Sequence, residues 1–176
     1  SMQEDLGLAH VEAASLFLFI SMGYAIALLG SGFVSCRLQH RKTIALSATT
    51  VGISLFGIAF CNSIWTIRGG ALFLGMASGL YLPSGLAVLT TLVSVKHWGK
   101  AIATHELAPN SSFFLAPLVA EGLMMWFSWR GVLGFLGIWS IMTGVLFHFF
   151  GKGGDFSGEA PNFMSLKTYF SQKSFW

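Results

Sequence analysis

The feature that most constrains this chain is a series of long windows that contain no charged residue. Four such windows, each 21 to 27 residues long, cover residues 13–36, 43–67, 69–95 and 131–151. A helix needs about 20 apolar residues to cross the ~30 Å hydrocarbon core of a bilayer, so each window is long enough. A fifth segment, 101–129, is equally apolar apart from Glu106 and Glu121. The pattern predicts five membrane-spanning helices joined by short loops.

The composition excludes the soluble and disordered alternatives. Only 10% of the residues are charged and 54% are hydrophobic, whereas a soluble domain carries about 25% charged residues. The windows are apolar on every side, while a core helix of a soluble protein keeps a polar face. Aromatic residues make up 15% of the chain, and disordered chains are poor in them. We therefore predict an all-α, polytopic membrane bundle.

The same windows divide the chain into three parts. An extracytoplasmic N-terminal segment is predicted at 1–12, a transmembrane bundle at 13–151 and a cytoplasmic loop at 152–176. The predicted spans within the bundle are 13–35, 43–64, 69–95, 100–126 and 130–151. Apolar residues recur near one helical face after residue 162, which favours an interfacial amphipathic helix, with a linker as the alternative. This pattern is unfinished at Trp176, which predicts a truncated chain.

The distribution of basic residues predicts the orientation of the spans. Cytoplasmic loops carry an excess of Lys and Arg. Only Arg68 and Arg130 fall on one side of the predicted membrane. The other side carries Arg37, Arg41, Lys42, Lys96, Lys100, Lys152, Lys167 and Lys173. This asymmetry predicts a multi-pass protein of a cell membrane, plasma or inner, with its N-terminus outside and its C-terminus in the cytoplasm. The basic loops indicate contact with the lipid bilayer and not with nucleic acid.

The loop between the first two spans carries a recognisable motif. Residues 32–42 read GFVSCRLQHRK, which resembles the signature G-x-x-x-D-R-x-G-R-R of the major facilitator superfamily. Gly32, Arg37 and Arg41 match this pattern, whereas Cys36 stands in place of the Asp and Gln39 in place of the second Gly. In that family the motif implies a cytoplasmic latch, in which the acid and the bases pair with neighbouring helix ends.

Two later motifs extend the resemblance. Ala116 and Ala120 around Pro117 resemble the G-P-x-x-G element of the family's fifth helix, and Trp129-Arg130-Gly131 resembles the start of its sixth. The resemblance covers roughly residues 8–152 and implies helices two to six of a twelve-helix transporter. It also implies that the first helix and the C-terminal half of the same transporter are partners of this chain.

The fourth span contains the clearest functional candidates. Glu106, Asn110, Phe113, Pro117 and Glu121 are spaced so that they share one helical stripe. Ionisable groups within a membrane usually face a bundle interior or an aqueous cavity. A carboxyl group in such a place can gain and lose a proton, which is what proton-coupled transport needs. Both glutamates and Asn110 are therefore candidates for proton coupling or substrate binding.

Structural alternatives exist for the two carboxylates. Glu106 lies about 9 Å along the helix from Lys100 and could simply form an ion pair with it. Glu121 lies near the predicted outer interface, where it could pair with Arg130. Their sequence positions alone leave both interpretations open.

The remaining candidates are polar side chains and packing residues. His105 points about 100° away from Glu106, so a neutral packing histidine is favoured over a proton relay. Asn110 could bind a polar solute or a neighbouring helix. Tyr81 and, more weakly, Tyr24 are phenols that could face a cavity. Gly75 and Gly79 form G-x-x-x-G, which favours close helix packing, and Pro117 predicts a bend in span four.

Together these features predict secondary active transport of a small solute by alternating access, coupled to protons or another ion. An integral-membrane enzyme and a non-transporting membrane scaffold are the alternatives. Cys36 and Cys61 lack metal-ligand spacing, and the chain contains no P-loop, dinucleotide fingerprint or hydrolase motif. The sequence therefore predicts that the protein is not an enzyme and uses no cofactor or metal.

Overall fold

The computed structural model describes residues 2–158, and they form helices, turns and loops without a β-strand. The seven helices are α1 Met2–Leu6, α2 His10–Leu38, α3 His40–Ala59, α4 Ile64–Gly79, α5 Tyr81–Leu92, α6 Trp98–Met124 and α7 Trp129–Phe150, and a 3₁₀ turn at Val95–His97 precedes α6. The prediction of an all-α bundle is confirmed. The amphipathic segment predicted after residue 162 lies outside the described residues.

Four of the described helical segments are long and apolar enough to cross a membrane. They are α2, α3, α7 and the combined segment Ile64–Leu92 that contains α4 and α5. At 27 residues, α6 is also long enough, but it is not one of these four. It carries Lys100, Glu106 and Glu121 along its length. The chain is therefore a multi-pass helical membrane protein, and the fifth span stays a prediction.

Successive long helices run in opposite directions, so that their ends and the connecting segments lie at two opposite ends of the bundle. At one end, which we call the basic end, the side chain of Arg41 at the start of α3 contacts Asp155 in the segment after α7. At the opposite end, the side chain of Arg130 at the start of α7 contacts the carbonyl groups of Ala59 and Cys61 at the end of α3. Which of the two ends faces the cytoplasm stays a prediction.

Helix α3 lies at the centre of the described bundle. It contacts α2, α4, α5 and α7, and it contributes more buried residues than any other described helix. One close crossing joins it to α7, where Gly52 faces Gly137. A Cβ atom added at Gly137 would lie 2.9 Å from the backbone oxygen of Gly52, so the two backbones touch without intervening side chains.

The second close crossing joins α2 to α4. A Cβ atom at Gly75 would collide with the backbone oxygen of Ile20, and one at Gly79 would lie 2.5 Å from the backbone oxygen of Tyr24. The G-x-x-x-G spacing places both glycines on the same face of α4. The backbone of α4 therefore lies directly against that of α2 over this stretch.

The third predicted span is interrupted in its middle. Leu80 separates α4 from α5, with φ −70° and ψ −24°. Pro83 has no N–H to donate to the carbonyl of Gly79 one turn earlier, and its ring crowds that carbonyl. Because the dihedral angles of Leu80 stay helical, α4 and α5 form one interrupted span. The interruption places Tyr81 at the start of α5.

Helix α6 lies at the edge of the described bundle. None of its residues from Trp98 to Met124 is buried, and its main contacts are with α5, α7 and the 3₁₀ turn. Two prolines, Pro109 and Pro117, lie inside it. Between Leu107 and Val119 every residue except Ser111 is exposed. Most of α6 therefore faces away from the other described helices.

Candidate functional site

Three of the sequence candidates meet between α5 and α6. The hydroxyl of Tyr81 lies 2.8 Å from Nε2 of His105, and Nδ1 of His105 lies 3.3 Å from Oε1 of Glu106. The rings of Tyr81 and His105 are stacked, with centroids 5.8 Å apart and planes inclined by 15°. We call these three residues the α5–α6 cluster. Their hydroxyl, imidazole and carboxyl groups form a continuous row of groups that can exchange protons.

The surroundings of His105 are polar, whereas the sequence favours a neutral packing histidine; its role stays a prediction. A packing histidine would lie among apolar side chains, but both ring nitrogens of His105 have polar neighbours. A neutral imidazole has one donor and one acceptor, so it can accept from the Tyr81 hydroxyl and donate to Glu106. The ring meets Tyr81 of α5, and the flexible Glu106 side chain reaches back to it. His105 thus bridges the cluster.

A proline one turn after His105 shapes the local backbone. Pro109 has no N–H, so the His105 carbonyl lacks its usual partner four residues later. Asn110 follows directly, and its side-chain Nδ2 donates to the backbone carbonyl of Glu106 at 2.7 Å. This bond lies within α6 and not between helices. Pro109 lies eight residues before Pro117, the proline from which the sequence predicts a bend.

The cluster borders a cavity at the basic end of the bundle. The cavity has a volume of about 410 Å³ and lies between α3, α5, α6 and α7. Its walls are mostly apolar, and its polar side chains are Tyr81, His105, Thr143 and Lys152. Small-molecule sites are typically cavities of about 300–1,000 Å³ with a few polar groups in an apolar wall. This space is large enough for a small solute beside the α5–α6 cluster.

The other members of the predicted stripe on α6 do not join the cluster. Phe113 is 78% exposed, and Pro117 and Glu121 are also exposed. Arg130, the predicted structural partner of Glu121, is directed to the end of α3 instead. It donates to the carbonyl of Cys61 at 2.9 Å and to Asn62 Oδ1 at 2.8 Å.

Tyr24 occupies a different position from Tyr81. It lies half-buried on α2, where its backbone faces Gly75 and Gly79 at the α2–α4 crossing. The stronger and the weaker phenol candidate therefore have different surroundings, and of the two only Tyr81 has a histidine as its hydrogen-bond partner.

The signature loop forms a second polar assembly at the basic end. The guanidinium of Arg41 meets both carboxylate oxygens of Asp155, at 3.4 Å and 3.3 Å. Arg37 is exposed and Gly32 is half-buried on α2. The thiol of Cys36 donates to the carbonyl of Phe33 at 3.2 Å. Of the three residues that match the signature, Arg41 forms the ion pair.

A buried pair accompanies this assembly. Nδ1 of His40 lies 3.2 Å from Oγ of Ser84 on α5, and both residues are buried. His40, Ser84 and Asp155 are not among the candidates predicted from the sequence. The signal for His40 is its place inside the signature loop, and the signal for Asp155 is the Gly153-Gly154 turn before it, where both glycines have φ +79°.

Metal binding is not indicated by this part of the chain. Within residues 2–158 no group of three or more His, Cys, Asp or Glu side chains is placed to hold a metal ion. The functional candidates are therefore the α5–α6 cluster with its cavity and the assembly around Arg41.

An all-helical bundle with several spans and a cavity that carries a few polar side chains is typical of membrane transport proteins. The family model of the Major Facilitator Superfamily matches residues 1–176, which is the whole chain. The chain belongs to this superfamily. The family expected from the signature loop is thus confirmed.

Curated relatives of this chain include named transport proteins. It is 27% identical over 147 residues to a multi-drug resistance efflux pump PmrA homolog of Lactococcus lactis, covering 80% of this chain and 36% of the relative. It is 26% identical over 125 residues to the arabinose-proton symporter of Escherichia coli K12, covering 71% of this chain and 26% of the relative. A TsgA homolog of Buchnera aphidicola is 22% identical over 113 residues, covering 64% and 29%. The chain spans about a quarter to a third of the length of these relatives.

Proposed function

We propose that this chain is part of a secondary transporter that moves a small solute across a cell membrane, plasma or inner, by alternating access. Protons drive the movement, and the α5–α6 cluster carries them. Glu106 is the coupling carboxylate, His105 bridges it to Tyr81, and Asn110 fixes the backbone beside it. The row of exchangeable protons from Tyr81 to Glu106 beside the cavity is the observation that carries this proposal.

The geometry of the cluster favours transport over the two alternatives. A scaffold would bury its polar groups in helix–helix contacts, whereas the side chain of Glu106 is 42% exposed and Tyr81 and His105 line a cavity. An enzyme would need a nucleophile or a metal beside the histidine. Two named relatives are a drug efflux pump and a proton symporter, which further supports transport.

The exposed face of α6 suggests where the rest of the transporter lies. Phe113 and Phe114 are 78% and 79% exposed, next to the turn that carries Glu106 and Asn110. Partners of this face are the remaining helices of the same transporter, which are the first helix and the C-terminal half expected from the family resemblance. Rocking of the two halves would then expose the cluster to each side in turn.

The test is replacement of Glu106 by Gln in the full-length protein. Proteoliposomes that contain a trapped pH indicator are supplied with a gradient of arabinose or of ethidium, a sugar and an amphiphilic cation. We expect the solute gradient to drive proton movement with the native protein. Glu106→Gln should lose proton movement but keep solute exchange, which needs no net proton transfer.

The matched control is Glu121→Gln, which removes a carboxylate from an exposed position on the same helix. It should keep solute-driven proton movement at the native rate. Unchanged proton movement in Glu106→Gln, at acidic and alkaline pH alike, would contradict the assignment of the coupling carboxylate. Loss of coupling in Glu121→Gln alone would move the assignment to that residue.

A further inference from the structure

The segment after α7 covers the junction between α2 and α3. Gln39 alone separates the two helices, so neither helix end has a neighbouring loop to satisfy its free backbone groups. The N–H of Arg41 donates to the carbonyl of Gly154 at 2.9 Å, and the N–H of Gly158 donates to the carbonyl of Ser35 at 3.0 Å. Residues 151–158 therefore form hydrogen bonds both with a backbone N–H at the start of α3 and with a backbone carbonyl at the end of α2.

Side chains strengthen this contact. The guanidinium of Arg41 meets the Asp155 carboxylate with two nitrogens and also donates to the carbonyl of Gly151 at 3.3 Å. The ring of Phe156 lies 4.7 Å from the ring of His40. A carboxylate beside the N-terminus of a helix is further favoured by the helix dipole, so Asp155 suits the start of α3 on two counts.

The fit depends on the absence of a side chain at residue 154. Gly154 is buried with φ +79°, and a Cβ atom there would lie 2.9 Å from the backbone nitrogen of Arg41 and 2.8 Å from Cγ2 of Val88. The segment is therefore shaped to lie against α3 and α5.

We propose that residues 151–158 are a clasp that locks the basic end of the bundle, and that Asp155 is the acid that the signature loop lacks at Cys36. The thiol of Cys36 is turned to its own helix, so it offers nothing to Arg41. Asp155 approaches from the far end of the chain and forms the acid–base pair in its place. The clasp thereby ties the end of α7 to the α2–α3 junction.

The clasp is held by contacts that can open. The side chains of Arg41 and Asp155 are 30% and 60% exposed. An exposed ion pair of this kind changes the ratio of closed to open clasp by about fivefold at most. Salt weakens such a pair further. In the proposed opening, this pair and the backbone hydrogen bonds of Arg41 and Gly158 break, and residues 151–158 lift from the junction while the helices stay folded. The consequence for transport, closure of the basic end, rests on the proposed function, whereas the docking of the segment does not.

The docking is tested with a cysteine at Ser35, in the full-length protein with Cys36 and Cys61 replaced by Ser. Ser35 is 5% exposed and is covered by Gly158. The rate of maleimide labelling of Ser35→Cys in membrane vesicles therefore reports the fraction of molecules in which the clasp is open. We expect Asp155→Asn and Arg41→Gln each to raise this rate by about three- to fivefold. High salt should raise the labelling rate of Ser35→Cys when Asp155 is present and should have little effect when Asp155 is replaced by Asn.

Controls separate the ion pair from a general loosening of the loop. Arg37→Gln removes a base from an exposed position near the end of α2 and should leave the labelling rate unchanged. Asp155→Glu and the exchange of charges, Arg41→Asp with Asp155→Arg, should return the rate toward the native value. A labelling rate in Asp155→Asn equal to that of Arg37→Gln, or no recovery in either rescue variant, would overturn the proposal. None of these measurements needs transport, so their failure is distinct from a failure of the proposed function.

Discussion

The hydroxyl of Tyr81 and Nε2 of His105 are 2.8 Å apart, and their rings are stacked. The two residues belong to different helices and are 24 positions apart in the chain. Pro83 and Pro109 each lie within four residues of one partner, so both backbones depart from regular helical hydrogen bonding near the contact. Interrupted helices near polar groups are common in secondary transporters, where they supply a site between repeats.

The first prediction concerns the Tyr81 hydroxyl. Tyr81→Phe keeps the stacked ring and removes only the hydrogen bond to His105. A hydrogen bond of this kind contributes about 0.5–1.5 kcal/mol, so solute-driven proton movement should fall by about two- to tenfold. Solute exchange should stay near its native rate. The measurement is the fluorescence of a pH indicator trapped in proteoliposomes.

Tyr24→Phe is the matched control for this change. It removes the same hydroxyl group from the α2–α4 crossing and should leave proton movement unaltered. Equal losses in the two variants would show that the effect is not specific to the α5–α6 cluster.

The positions of the helices could be predicted from the sequence because the lipid core imposes their length and polarity. The uncharged windows 13–36 and 131–151 end close to the ends of α2 and α7, whereas the window 43–67 runs past the end of α3 at Ala59 and into α4. The uncharged window 69–95 does not indicate the interruption at Leu80, although its cause, Pro83, is visible in the sequence. Hydropathy averages over many residues, so a single missing N–H does not affect it.

The contacts of the candidate site could be predicted only in part. Glu106, His105 and Tyr81 stand out individually as polar groups within apolar spans. Their meeting depends on how α6 lies against α5, which no local pattern encodes. The pairing of Arg41 with Asp155 joins residues 114 positions apart, and the substitution at Cys36 gave no indication of where a replacement acid would come from.

The second prediction concerns the α2–α4 crossing. Gly75→Ala places a methyl group against the backbone oxygen of Ile20, and the two backbones must separate to admit it. Overpacking of this kind costs about 1–3 kcal/mol. We expect a lower free energy of unfolding, measured by denaturation in detergent micelles.

Gly69→Ala tests whether the effect comes from the crossing or from glycine itself. Gly69 is on the same helix, and a Cβ atom there would have no neighbour within 4 Å. Its replacement should change the free energy of unfolding by about 1 kcal/mol or less, in the stabilising direction. A loss as large as that of Gly75→Ala would contradict the packing argument.

The third prediction concerns the backbone of Gln39. This residue has φ +68° and ψ +154°, a region that essentially only glycine occupies and that costs other residues about 1–3 kcal/mol. Gln39 stands where the family signature has Gly. Gln39→Gly should raise the free energy of unfolding by about 1 kcal/mol, after allowance for the greater freedom of glycine in the unfolded chain. The thermal unfolding midpoint should rise accordingly.

Gln39→Ala distinguishes backbone strain from an unfavourable side chain. Alanine keeps the Cβ atom and therefore the strain, so its unfolding midpoint should not exceed that of the native protein. A gain in stability with Ala that equals the gain with Gly would show that the glutamine side chain, and not the backbone conformation, is the source of the cost.

The last prediction concerns the end of the bundle opposite the clasp. Arg130 donates to the carbonyls of Ala59 and Cys61 and to Asn62, and its guanidinium lies 4.4 Å from the centroid of the Trp129 ring. Lysine keeps the charge but cannot reproduce the planar fork. Hydrogen bonds to charged groups contribute about 1.5–3 kcal/mol each, so Arg130→Lys should lower the free energy of unfolding by at least about 1.5 kcal/mol. Arg37→Lys makes the same exchange at an exposed position and should leave stability unchanged. If both variants unfold at the same midpoint, the fork of Arg130 does not stabilise the junction of α3 and α7.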